Sequence, residues 1–87
     1  MSNIVFTPNG WLQYQSWVTE NNRRITKKIR ELIADIERNG NAGIGKPEPL
    51  RGDLEGWWSR RITDEHRLVY AIADDNIYIA KCRSHYN

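Results

Sequence analysis

Side chains that could carry out acid–base chemistry on a phosphate are concentrated in two stretches of this sequence. In residues 46–67, Glu48 stands between two prolines, and an arginine doublet and Arg67 follow it. The end of the chain adds His85 and Tyr86. RNA cleavage needs few groups, because the 2′-hydroxyl is its own nucleophile. A base removes its proton, an acid protonates the departing 5′-oxygen, and cations stabilise the charge on phosphorus.

The residue types indicate which side chain fits which step. Glu48 or His85 can act as the base, and His85 or Tyr86 as the acid. Arg67 suits the phosphate because a guanidinium binds two oxygens at once. His66 begins a strand pattern and is more typical of a structural histidine. The sequence has no glycine-rich phosphate loop, no Cys/His set of metal ligands and no nucleophile motif. A reaction without a metal or cofactor is therefore predicted.

The composition indicates one small domain spanning residues 1–87. Thirteen Lys and Arg against eleven Asp and Glu give a net charge of +2, which argues against non-specific coating of DNA. Nine of the thirteen cations are Arg, so local arginine clusters are expected to hold any anionic partner. Cys82 is the single cysteine and cannot form an internal disulfide. Without a signal peptide or membrane-length apolar run, we expect a cytoplasmic protein with no membrane partner.

Two helices are expected to follow a short strand at residues 2–7. Asn9 is the expected N-cap of the first helix, whose apolar side chains are predicted to be core: Trp11, Leu12, Tyr14, Trp17 and Val18. The second helix is expected between residues 21–22 and 39–40, with its apolar face formed by Ile25, Ile29, Leu32, Ile33 and Ile36. Its cationic side, which includes Lys27 and Lys28, is either a solvated face or a track for a phosphate backbone.

Residues 40–56 contain five of the six glycines and two of the three prolines, which predicts a long, irregular and functional connection. Strands are predicted at residues 58–62, 66–73 and 76–84, and the last two form a hairpin. Arg67 is then expected beside Arg83, Ser84 or His85, depending on which of three turn registers forms. Alternation along a strand places Arg60 and Arg61 on opposite faces.

The layout β-α-α-β-β-β predicts an α+β fold with two N-terminal helices packed on one face of a small, mainly antiparallel sheet. The other sheet face, beside the long connection, is the expected place for a site.

Three ordered motifs resemble the YoeB toxins (Txe/YoeB family), within the RelE superfamily of bacterial type II toxin–antitoxin systems. They are GKPEPL at residues 45–50, WSRRITDEHRLVY at residues 58–70 and CRSHY at residues 82–86. The resemblance implies a RelE-like (microbial ribonuclease-like) domain and an endoribonuclease that cuts mRNA in the A site of the 70S ribosome. It also implies a YefM-like antitoxin, a homodimer, and a toxin–antitoxin complex that binds operator DNA through the antitoxin.

The resemblance also implies roles for particular residues. Glu48 corresponds to the family's general base and Arg67 to its phosphate-stabilising arginine. His85 and Tyr86 correspond to the acid and its orienting or acidic partner. The weaker candidates for holding RNA or the ribosome are Lys46, Arg51, Arg60, Arg61, Arg83, Lys27 and Lys28. Two positions depart from the family pattern, because Asn87 follows the tyrosine and Arg51 stands where lysine is common.

Two other functions use the same residues. A basic domain could block translation by occupying the ribosome without any chemistry, and Glu48 would then be incidental. Gyrase-poisoning toxins share the general fold, but that activity leaves the glutamate, arginine and histidine set without a task.

Overall fold

A computed structural model of the chain describes residues 2–83. Two α-helices, five strands and one 3₁₀ turn follow one another in the order β1 (Asn3–Phe6), α1 (Pro8–Thr19), α2 (Arg23–Asn39), β2 (Glu48–Pro49), the 3₁₀ turn (Gly52–Leu54), β3 (Trp58–Arg61), β4 (Arg67–Ala73) and β5 (Asn76–Lys81). No helix in this part of the chain is long and apolar enough to cross a membrane.

The five strands form one sheet in the order β1-β5-β4-β3-β2. β1 runs parallel to β5, and every other neighbouring pair is antiparallel. Both helices contribute to a core that lies against one sheet face and includes Trp17, Ile25, Ile29, Leu32, Ile36, Leu68, Tyr70, Ile77 and Ile79. The predicted α+β class and mainly antiparallel sheet are confirmed. The two-residue strand β2 lies within the segment predicted to be irregular.

Helix α2 forms as its sequence pattern predicts. Its N-cap is Asn22, whose side chain accepts a hydrogen bond from the backbone of Ile25, and Gly40 with a positive φ ends the helix. Four of the five residues of the predicted apolar face are buried in the core, and Ile33 is partly buried against it, while Lys27 is exposed. Regular apolar spacing over 17 residues is a strong local signal, and the tertiary contacts agree with it.

Helix α1 differs from the prediction at both its start and its face. Thr7, rather than Asn9, is the N-cap, because its Oγ1 accepts from the backbone of Gly10 at 3.1 Å and Pro8 suits the first helical position. Gly10 packs so closely on the sheet that a Cβ there would collide with the carbonyl of Ile79. The buried face therefore runs from Gly10 to Trp17, whereas the other predicted core residues are exposed: Trp11 (46%), Leu12 (67%) and Val18 (49%).

The β4–β5 hairpin closes through a two-residue turn. Asp74 and Asp75 both have positive φ, and Ala73 pairs with Asn76, as in a type I′ turn. A register shift between residues 69 and 70 then pairs Val69 with Lys81, the last residue of β5. The predicted hairpin is confirmed, and its pairing ends at Val69 and Lys81. Of the three residues expected beside Arg67, Ser84 and His85 lie outside the described residues.

Cys82 is completely buried at the end of β5, and burial raises the pKa of its thiol from 9.0 to about 12. We expect native Cys82 to react with iodoacetamide at pH 8 at least about a hundredfold more slowly than in urea, because the thiolate is the nucleophile. Because the pKa of this thiol is higher in the folded chain than in the unfolded chain, its contribution to the stability of the fold is fully present below pH 9. The contribution is lost as the pH rises towards 12, because the thiol of the unfolded chain ionises first. Equal labelling rates in both solvents would contradict the buried position.

Candidate active site on the open sheet face

Strand pairing gathers three of the predicted site residues on one face of the sheet. Glu48 pairs with Ser59, and Arg61, two residues further along β3, pairs with Arg67. Directly paired residues share a face, as do residues two apart on a strand. Arg60 belongs to the other face, where it lies among the core residues under the helices. Glu48, Arg61 and Arg67 therefore lie on the face opposite the helices.

Glu48 and Arg67 are in direct contact at the centre of this site. Arg67 Nη1 lies 3.4 Å from Glu48 Oε1, with 18% of the arginine side chain and 54% of the glutamate side chain exposed. An ion pair this exposed contributes only about 0–1 kcal/mol to folding. The arrangement therefore leaves a carboxylate accessible to a substrate, beside a guanidinium that is held largely in place.

The chain before Glu48 is fixed by close backbone contacts. Arg61 N donates to the carbonyl of Gly45 at 2.7 Å, which lays this segment along the edge of β3. Gly45 has φ +82°, and a Cβ there would lie 2.9 Å from Leu32 Cδ2, so the approach requires glycine. The exposed Lys46 is consequently carried alongside Arg61.

The side chain of Arg61 faces Arg67 across the strand pair and is exposed. Among residues 2–83 it has no acidic partner. Like charges placed directly opposite each other destabilise a sheet unless an anion lies between them. Arg61 and Arg67 thus place two cations on the sheet face that carries the Glu48 carboxylate, which suits a phosphodiester.

Lys81 lies on the same sheet face as Glu48 and Arg67, and the sequence analysis did not single it out. It pairs with Val69, which lies two residues along β4 from Arg67, so Lys81 shares the face of the site. The register shift next to Val69 sets this position, and no pattern in the sequence indicates that shift.

The prediction that Arg60 contacts RNA is wrong. Its side chain is fully buried on the helix side of the sheet and forms an ion pair with Asp35 of α2, at 2.6 Å. Hydrogen bonding from Arg60 holds the pKa of Asp35 below its ordinary value, against the opposite effect of burial. The predicted alternation is confirmed, because Arg60 points inwards and Arg61 outwards.

Arg83 lies against α1 rather than in the group around Glu48. Its guanidinium sits 3.9 Å from the ring of Trp17 and donates to Glu20 at 2.7 Å and to Ser16 at 2.7 Å. His66 contacts the same indole edge-on at 4.8 Å, in agreement with a structural histidine. These contacts order the end of β5.

The remaining candidates lie elsewhere or outside the described residues. Lys27 and Lys28 line a groove of about 500 Å³ between α2 and the β3–β4 turn, on the helix side of the molecule. Arg51 is exposed directly before the 3₁₀ turn. His85 and Tyr86 lie outside residues 2–83.

Residues 6–86 match the family model described as the YoeB-like toxin of bacterial type II toxin–antitoxin systems. The chain is 55% identical to Toxin YoeB of Streptomyces coelicolor and 53% identical to that of Escherichia coli K12, in both cases over 95% of this chain and 98% of the relative.

Solved structures give the same answer. The fold is similar to the YoeB/ParE toxin from Agrobacterium tumefaciens, with a TM-score of 0.91 and 43% identity over 97% of this chain and 99% of that one. It is also similar to the toxin in a YoeB dimer and in a YoeB–YefM complex from Staphylococcus aureus. Each has a TM-score of 0.89 and 48% identity, over 98% of both chains for the dimer and 99% for the complex. The chain therefore belongs to the YoeB-like toxin family of bacterial type II toxin–antitoxin systems.

Proposed function

We propose that this toxin is an endoribonuclease that cleaves mRNA in the ribosomal A site and so stops translation. The observation that carries the proposal is the Glu48 carboxylate, accessible to substrate and 3.4 Å from Arg67, with Arg61 opposite that arginine on the same sheet face. A base in contact with one guanidinium, with a second arginine on the same sheet face, fits a reaction that deprotonates a hydroxyl next to a phosphate.

In the proposed reaction, Glu48 removes the proton from the 2′-hydroxyl, whose oxygen attacks the adjacent phosphorus. Arg67 stabilises the added charge on the phosphate oxygens as the bond to the 5′-oxygen breaks. His85 protonates that leaving oxygen. Tyr86 either orients His85 or is itself the acid. The products are a 2′,3′-cyclic phosphate and a 5′-hydroxyl, and no step requires a metal or cofactor.

The shape of the site supports a requirement for the ribosome. Glu48 and Arg67 meet on the sheet face opposite the helices, and 54% of the glutamate side chain is exposed, whereas the groove of about 500 Å³ is lined by Lys27 and Lys28 on the other side. An exposed carboxylate gives little help in holding a flexible strand in line for attack, and orientation accounts for a large share of such a barrier. The ribosome supplies that orientation. Lys46, Arg51 and Arg61 hold the messenger, and Lys27 and Lys28 bind ribosomal RNA.

The partners of this toxin are proposed from its relatives. A YefM-like antitoxin binds it, as YefM binds YoeB in the Staphylococcus aureus complex, and the toxin dimerises as in the dimer from the same organism. A cationic site of this kind attracts an acidic or amphipathic antitoxin segment. The resulting complex binds operator DNA through the antitoxin.

The test is cleavage of a defined messenger on programmed bacterial ribosomes, read by primer extension. We expect one discrete cut in the A-site codon, and no cut in the same messenger without ribosomes. Products of 2′-hydroxyl attack carry a 5′-hydroxyl, which polynucleotide kinase labels without prior phosphatase treatment. Arrested translation with an intact messenger would instead identify a ribosome-binding inhibitor without catalysis.

A further inference from the structure

Arg60 is fully buried, and every N–H donor of its guanidinium forms a hydrogen bond. It donates to Asp35 Oδ2 at 2.6 Å and, through Nε, to the hydroxyl of Tyr70 at 3.2 Å. The remaining donors bind three main-chain carbonyls of the segment that follows α2: Gly40 (2.7 Å), Ala42 (2.8 Å) and Ile44 (3.0 Å). A guanidinium carries five donors in one rigid plane, and each has an acceptor here.

The segment 40–44 is wrapped around the same ion pair. Asp35 Oδ2 also accepts from the backbone N–H of Ile44 at 3.1 Å, and Asn39 donates to Oδ1 at 2.8 Å. Gly43 has φ +120° and approaches so closely that a Cβ would collide with Asp35. Neither helix nor strand forms between Gly40 and Pro47. The course of this segment is therefore determined by Arg60 and Asp35 rather than by secondary structure.

This anchored segment leads directly to the candidate base. Gly45 accepts from Arg61, the residue after Arg60, and Glu48 pairs with Ser59, the residue before it. Three consecutive residues of β3 thus fix this part of the chain. Arg60 holds it on the helix side of the sheet, Arg61 holds it at the strand edge, and Ser59 pairs with Glu48 within the sheet. Arg60 fixes the chain through its side chain.

We propose that Arg60 is a positioning residue for Glu48. By fixing segment 40–44 from the helix side of the sheet, its guanidinium sets where the Glu48 carboxylate emerges on the opposite face and keeps it beside Arg67. This inference rests on the proposed cleavage reaction, in which Glu48 is the base. Arg60 touches neither substrate nor reacting atoms, and it acts only through the segment that it holds.

The substitution that tests this positioning role is Arg60→Lys. Lysine keeps the charge opposite Asp35, but its ammonium has three donors on a flexible stem and does not reach five acceptors spread around a planar fork. Some of the carbonyls of segment 40–44 then lose their partner. An error of about 1 Å in the position of a catalytic group costs about a hundredfold in rate. We expect the cleavage rate of Arg60→Lys to fall about 10- to 100-fold.

The experiment compares Arg60→Lys, Ile77→Val and the wild type on programmed ribosomes, well below their melting temperatures. Ile77 is a buried core residue on β5 and serves as the control for general loss of stability. In Arg60→Lys we expect kcat to fall, KM for ribosomes to change less than about threefold, and the Ile44 amide to exchange faster than core amides. A merely structural role would lower the melting temperature of both variants and leave kcat unchanged.

A second variant covers the case in which Arg60→Lys fails to fold. Gly43→Ala displaces the segment from Asp35 while keeping Arg60, and the same loss of kcat is expected. Wild-type kcat in either folded variant, with faster exchange at Ile44, would overturn the proposal.

Glu48→Gln is run in parallel to separate the positioning role of Arg60 from the proposed cleavage reaction. If Glu48→Gln cuts normally, Glu48 is not the base, and Arg60 has no catalytic carboxylate to position. If only Glu48→Gln is inactive, the positioning role is wrong.

Discussion

Replacing Glu48 with glutamine is expected to lower the rate of mRNA cleavage on programmed ribosomes by about 10²- to 10⁴-fold, the contribution typical of a general base. Glutamine has nearly the same shape and fits the short strand β2, but its amide does not accept the 2′-hydroxyl proton. The ion pair with Arg67 is exposed on the glutamate side, so its loss costs the fold about 0–1 kcal/mol. Activity should therefore fall without a matching loss of stability.

The measurement is a single-turnover rate at saturating toxin, with thermal melting of the same samples. Glu55→Gln is the matched control, because Glu55 is an exposed glutamate just beyond the 3₁₀ turn. That control should cleave at the wild-type rate. If Glu48→Gln also did so, Glu48 would not be the base, and the carboxylate would have no role in the reaction.

Removing the charge of Arg67 should have the next largest effect. We expect Arg67→Met to lower the cleavage rate by about 10²- to 10³-fold, because a preorganised cation that stabilises transition-state charge contributes that much. The side chain is only 18% exposed, so β4 and its neighbours hold the guanidinium before substrate arrives. Arg67→Lys keeps the charge and loses the bidentate geometry, and an intermediate rate is expected.

The comparison must separate catalysis from attraction to RNA. Arg23→Met removes the same charge from an exposed position on α2, and its rate at saturating ribosomes should equal that of the wild type. The loss in Arg67→Met should persist at saturation and should not recover at lower salt, where longer-range attraction is stronger. A rate restored by low salt would assign Arg67 to RNA binding instead.

Local signals in the sequence account for much of this fold. The apolar spacing of α2 agrees with its burial, and adjacent aspartates suit the two positive φ values of the β4–β5 turn. Glu48 and Arg67 were assigned by resemblance to a family, and the structure brings them within 3.4 Å of each other.

Arg60 marks the limit of such reasoning. Alternation separates Arg60 from Arg61 but does not indicate which of them faces inwards. That choice depends on Asp35, which lies 25 residues earlier on another element. An acidic residue between Leu32 and Ile36 on the buried side of α2 was a signal that some cation must enter the core. Three arginines in residues 60–67 could have supplied it, and only the tertiary structure distinguishes them.

The exposure of Trp11 on α1, which was predicted to be core, has a different physical cause. A helical aromatic stripe normally indicates core, but the close approach at Gly10 rotates the helix on the sheet. Trp11 then packs against Phe6 at 5.4 Å and Tyr14 at 6.2 Å near the surface. One glycine thus determines which aromatic side chains remain accessible.

The parallel pairing of β1 with β5 has a consequence for a toxin that is itself made on ribosomes. Residues 3–6 form their strand pairs with residues 76–79, almost the full length of the chain later. Contacts this distant in sequence form late and slowly. A nascent chain therefore cannot complete the sheet until synthesis is almost finished, and truncated products lack β5, the strand that joins β1 to the strands of the site. The pairing of β1 with β5 thus ties completion of this sheet to the end of synthesis.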